Sequence, residues 1–218
     1  NTSNVIKMNH MFNGASTFNQ PINDWNTSNV NNMYSMFNGS SAFNQDLDKW
    51  DTSNVTTMYS MFNGATVFNG LIDKWNIINV TNMDHIFQDS AFNQPINTKQ
   101  VTDTNNIVYN AWDVSNITSM YRLFWLNKAF NQPINDWNTS NVTNMSGIFG
   151  YAEAFNQDLD KWDTSNVTNM SSMFIRASKF NKHINVWNTS NVTNMSNMFQ
   201  HAIFNQPIND WSTSNVTN

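Results

Sequence analysis

Hydrophobic positions recur along this chain at an interval far longer than a helical turn. Trp stands at 25, 50, 75, 112, 137, 162, 187 and 211. Five residues after each come Val30, Val55, Val80, Ile117, Val142, Val167, Val192 and Val216, and Val5 opens a ninth copy. Seven residues before most of the Trp stand Phe18, Phe43, Phe68, Phe130, Phe155, Phe180 and Phe204; Phe92 keeps the column, but Lys99 holds the Trp position after it. A period of about 25 residues marks a tandem array, whose units must stack to bury their apolar faces. The first four Phe map onto Phe130, Phe155, Phe180 and Phe204, each 112 residues on, so a four-unit block is itself repeated.

Inside one unit the pattern splits. Val30, Met33, Met36 and Phe37 fall at i, i+3, i+6 and i+7, which predicts one face of a short helix. Thr27, Ser28 and Asn29 precede it as an N-cap composition, and Gly39 and Gly64 follow as C-cap residues. The half from Phe18 to Trp25 reads as a short extended segment with Ile22 and Trp25 inward, kept brief by Pro21. The expected fold is therefore α/β: a solenoid of about eight strand-turn-short-helix repeats, with a short parallel sheet on one face. It fills residues 1–218 as a single solenoid, read as part of a longer chain. Residues 98–111 are extra, an insertion or a degenerate short repeat between repeats four and five. There Val101, Ile107 and Val108 copy the spacing of Val30, Met36 and Phe37, which suggests a truncated helix or a bulge.

Composition changes the picture next. Asn accounts for 43 residues, and only 11% of the chain is charged, against roughly 25% in ordinary domains. Aromatics at 14% and 13 Met supply enough apolar surface to argue against disorder. The absence of Cys excludes disulfides and thiolate metal sites. No apolar window is long enough for a membrane span. A net charge of -5 with ten basic residues argues against nucleic acid as a partner.

Many Asn fall into fixed columns. One contains Asn29, Asn54, Asn79, Asn141, Asn166 and Asn191, with Asn4, Asn116 and Asn215; another contains Asn19, Asn44, Asn131 and Asn156, with Asn69, Asn93, Asn181 and Asn205. An amide side chain both donates and accepts, so both columns are expected to act as structural ladders that satisfy turn backbone coil after coil. The first is expected to point inward, where a glycan on its N-x-S/T acceptors would clash. Asp24 should lie beside Lys49 one coil on, and Asp136 beside Lys161.

The segment Trp162-Asp163-Thr164-Ser165-Asn166-Val167-Thr168-Asn169-Met170-Ser171-Ser172-Met173-Phe174, repeated along the chain, resembles the BspA-like leucine-rich-repeat surface proteins, whose repeats occur in many Mycoplasma lipoproteins, in gut bacteria, in some protists and in some large DNA viruses. The resemblance implies a leucine-rich-repeat-like α/β solenoid displayed on a cell or particle surface and linked to adhesion. The chain departs from that family in having five Leu, with Phe, Ile, Trp and Met in the core instead.

Candidate chemistry is sparse. His10, His85, His183 and His201 lie in unrelated columns, and the Asp residues are periodic, so no enzyme, cofactor or metal site is expected. Function is expected where the period fails. Trp125 and Leu126 replace Asn-Gly, and Tyr151 and Ile175 follow in similar positions, giving with Tyr109 a candidate partner-binding stripe. Tyr34, Tyr59 and Tyr121 share an outward column and offer rigid contacts. The leading expectation is an extracellular, cell-surface or virion-surface protein for adhesion to protein or glycan. The alternatives are a fibre or particle-coat element that self-associates, or joins neighbouring repeats, through uncapped ends, and ice binding by the column Thr27, Thr52, Thr139, Thr164, Thr189 and Thr213, which Ile77 and Val114 interrupt.

Overall fold

The computed structural model describes residues 2–103 and 105–218, and it is built from stacked coils without a helix. The segment read as a helix is a ribbon of turns. Met36 N–H closes on Met33 C=O and Asn38 N–H on Ser35 C=O within the coil. Between them the N–H groups of Met33, Ser35, Phe37 and Gly39 leave the coil and meet Thr57, Tyr59, Met61 and Asn63 carbonyls one repeat on. Every second donor therefore runs along the stack, where a helix would send it four residues back. Two residues per coil adopt the left-handed conformation that makes this possible: Ser35 (φ 50°) and Gly39 (φ 70°), with counterparts such as Arg122 and Leu126, or Ser172 and Arg176. A left-handed residue interrupts a right-handed helix, so the α/β expectation is overturned at this point.

The expected parallel sheet on the Phe18–Trp25 face is absent too. There the backbone donors are captured by side chains. Asn44 N–H meets Asn19 Oδ1 at 2.9 Å, and Lys49 N–H meets Asn23 Oδ1 at 3.1 Å. An amide that takes the ladder's donor leaves no carbonyl partner to extend a strand. Parallel pairing survives as single bridges in the turn ribbon, linking Lys7, Asn32 and Thr57, and then Asn82, Ser119, Asn144, Asn169 and Asn194.

The paired strands of the described residues lie in the extra segment. β1 (Lys99–Thr102) and β2 (Val108–Ala111) are antiparallel, with Lys99 opposite Ala111 and Thr102 opposite Val108. Asp103 Oδ1 accepts the N–H groups of Asn105 and Ile107, which bends the chain between the strands. The truncated-helix expectation fails because Ile107 and Val108 face solvent, with no core behind them. The hairpin leaves and re-enters one coil. Trp112, which follows it, stacks on Trp75 at 6.3 Å and takes the slot that Lys99 vacates.

The core is organised in columns. All 16 Phe belong to two files of eight. Phe12, Phe37, Phe62, Phe87, Phe124, Phe149, Phe174 and Phe199 stack at 5.4 to 6.0 Å between neighbours. The second file, Phe18 to Phe204, stacks at 5.8 to 6.4 Å. Offset stacking at these distances is favourable beyond the buried area alone. Among the described residues, every buried side-chain nitrogen or oxygen has a partner.

Candidate functional site

Most repeated polar side chains are occupied within the stack. The column of Asn29 donates from Nδ2 to a carbonyl in the previous coil: Asn29 to Ser3, Asn54 to Ser28, Asn79 to Ser53, Asn141 to Ser115, Asn166 to Ser140 and Asn191 to Ser165, each at 2.7 Å. These Asn lie exposed and reach along the surface, so the inward placement is corrected. The column of Asn19 forms an unbroken relay through the other end of the side chain, accepting from the next coil. Asn19 Oδ1 accepts Asn44 N–H, and the same bond repeats through Asn69, Asn93, Asn131, Asn156 and Asn181 to Asn205.

Each Trp of the repeat column from Trp50 on donates its indole N–H to a carbonyl one coil back, as Trp50 does to Ile22 and Trp162 to Ile134. The column Thr27, Thr52, Thr139, Thr164 and Thr189 is buried at 2% exposure or less, and its hydroxyls donate to carbonyls of the next coil. A buried, bonded hydroxyl presents nothing to ice, which removes that column as an ice-binding face. Asp24 and Lys49 meet at 2.7 Å, as do Asp136 and Lys161.

Two regions are left. The first is a ridge on the turn ribbon. His10, Tyr34, Tyr59, His85 and Tyr121 touch in succession, with ring centroids 4.8 to 5.4 Å apart. Arg122 continues the line, its guanidinium 5.0 Å from the Tyr121 ring and 4.6 Å from that of Trp125. Trp125 then meets Tyr151 at 5.0 Å, and Arg176 lies over Tyr151 at 5.7 Å.

Trp125 is half-buried because the next coil makes room for it: a Cβ on Gly150 would lie 2.3 Å from its ring. The structure thus gathers Trp125, Tyr151 and the buried Ile175, with Leu126 alongside in a left-handed conformation (φ 60°). Tyr109 is not among them; its hydroxyl donates to Lys74 C=O beneath the hairpin. The continuity of the ridge through His85 and Arg122 escaped the sequence reading, because those residues sit one position after the Tyr34 and Tyr59 column.

The second region is a cleft of about 570 Å³ between the hairpin and the preceding coils. Its walls include Trp50, Asp51, Val101, Asp103, Ile107 and Tyr109. Burial, with the charges of Asp103, Asp51 and Asp73, pushes the Tyr109 phenol above its ordinary range. Asp48 also borders the cleft; burial raises its carboxyl, but hydrogen bonds from Asn23 and Lys74 and the lysine charge outweigh that and hold it below the usual range. Among the described residues, no group of three or more His, Asp or Glu is placed to hold a metal ion. No helix among them is long and apolar enough to cross a membrane.

Coils of one size whose side chains sort into columns define a tandem-repeat protein. The chain belongs to the family described as Mycoplasma protein of unknown function, DUF285, whose model matches residues 1–99, 98–202 and 159–218. The match bears out a repeat family of Mycoplasma type, as the resemblance implied; it does not extend to the BspA-like assignment. No curated protein and no solved structure matches the chain.

Proposed function

We propose that this chain is a non-catalytic binding module, displayed on a cell or virion surface, that adheres to a protein or glycan through its ridge. The observation that carries this reading is the unbroken run of rings and guanidinium groups from His10 to Arg176. In the Asn, Thr and Trp columns each side chain already serves the stack. Along the ridge the residue type varies, from His and Tyr to Arg and Trp, as suits a surface shaped for a partner. Half-buried Tyr and Trp lose little conformational freedom on binding and combine an apolar body with a polar tip. The test is binding to arrayed glycans and to immobilised cell-surface proteins. The variant Tyr34→Ser/Tyr59→Ser/Tyr121→Ser is expected to lose most binding while keeping the parent's far-ultraviolet dichroism, with an unfolding midpoint lowered by the lost ring contacts. Binding equal to the parent chain would overturn the reading.

A further inference from the structure

We propose that the cleft beneath the hairpin is a binding site for a basic side chain, the ammonium or guanidinium of a Lys or Arg on a partner polypeptide. It is independent of the ridge, because its lining, drawn from residues 48–53, 74, 76, 101–103, 105, 107 and 109, includes none of the ridge side chains.

The first argument is charge. Two cations border the cleft, and both are already matched: Lys49 pairs with Asp24 at 2.7 Å and Lys74 with Asp48 at 3.0 Å. Asp51 on one wall and Asp103 on the other take no ion pair among the described residues. Each spends one oxygen on a turn. Asp51 Oδ1 accepts Ser53 N–H at 2.9 Å, and Asp103 Oδ1 accepts Asn105 and Ile107 N–H at 2.8 Å. The second carboxylate oxygen of each accepts no bond from a described residue. Two uncompensated carboxylates in a concave site attract a cation and repel phosphate and sulfate.

The second argument is shape. Val101, Ile107 and Tyr109 line the same space, which suits the methylene stem of a long basic side chain. The hairpin that carries them is tied down. Tyr109 donates to Lys74 C=O, Thr98 to Trp112 C=O, and Lys99 pairs with Asp73. The site is therefore preorganised, which lowers the ordering cost of binding.

The experiment titrates Nα-acetyl-lysine amide and Nα-acetyl-arginine amide into the full chain, following backbone amide shifts of Ser53, Asn105 and Tyr109. Nα-acetyl-norleucine amide and putrescine serve as comparisons. Both basic probes are expected to shift these signals, and norleucine is not. Asp51→Asn should weaken binding about threefold, and Asp51→Asn with Asp103→Asn about tenfold. Asp51→Asn keeps the fold by precedent within the chain: Asn26, Asn138 and Asn188 occupy the same column and make the same turn bond to Ser28, Ser140 and Ser190. Equal shifts with norleucine, no shifts with either basic probe, or shifts indifferent to both substitutions would each overturn the proposal. Putrescine binding tenfold tighter than the peptides would also overturn it, reassigning the cleft to free amines. The triple Tyr variant of the ridge should leave all of these titrations unchanged.

Discussion

Asn156 and Asn166 stand ten positions apart and use opposite ends of the same side chain. Asn156 accepts Asn181 N–H through Oδ1, whereas Asn166 donates to Ser140 C=O through Nδ2. Aspartate retains the acceptor and loses the donor. Asn156→Asp is therefore expected to cost under about 0.5 kcal/mol. Asn166→Asp removes the bond and sets a charge against a carbonyl, for about 1–2 kcal/mol. Urea midpoints of the two variants, measured at neutral pH, check the difference. Equal losses would mean the two columns do not work as the distances describe. These two Asn columns are thus separate devices, one accepting backbone donors and one closing turn carbonyls.

The turn ribbon is the element on which the fold depends. Its left-handed positions are filled mostly by residues with a Cβ, which costs about 1–2 kcal/mol each relative to an unstrained site. Gly147 occupies the same column as Ser172 at φ 65°, so Ser172→Gly should raise stability by about 0.5–1 kcal/mol in urea unfolding. A β-branched residue there, as in Ser172→Val, should lower it by more. Circular dichroism of the parent chain is expected to lack the double minimum of a helix; its presence would restore the helical reading of this segment. The hairpin is a separate element and should be removable. Deleting residues 99–111 joins Thr98 to Trp112 and restores the Ile-to-Trp spacing of Ile134 to Trp137. A folded product with an intact core is expected from near-ultraviolet dichroism. Tyr109 gives the hairpin a pH dependence. Its folded value is raised above the ordinary 10.0, so docking is fully present below that value. The contribution is lost as pH rises through the folded value. Hydrogen exchange at Val108–Ala111 should quicken there, and Tyr109→Phe should abolish the step.

At the scale of the molecule, contacts run almost wholly between neighbouring coils, so stability is a sum over coils and interfaces. Phe149 is fully buried, stacked between Phe124 and Phe174, and touches Phe155 at 3.9 Å. Phe149→Ala should cost about 3–5 kcal/mol. Phe204, which is half-buried in the last coil and stacks on Phe180, should cost clearly less. The central variant is also expected to split the denaturant transition into two steps, because it weakens the coupling between the two halves. A single transition shifted equally by both variants would argue against coil-by-coil stability.

The sequence by itself determined the period, the columns and the composition of the core. Repetition of Phe18, Trp25, Asn29 and Phe37 forces like residues to face like residues wherever coils stack. It also placed the extra residues between Asn97 and Trp112 and the unusual Trp125. It could not give the path of the chain within a coil. Apolar spacing of three and four residues fits a helix and a turn ribbon equally well. The residues that decide between them, Ser35, Ser60 and Ser172, carry no left-handed signature of their own, and Gly39 reads equally as a helix cap. Only the stacked structure resolved this. Each donor that leaves the coil needs its acceptor in the next one, and that bond exists only when the two coils are in contact. For the same reason the ridge and the cleft belong to the tertiary structure: both are made of residues from several coils that no local pattern joins.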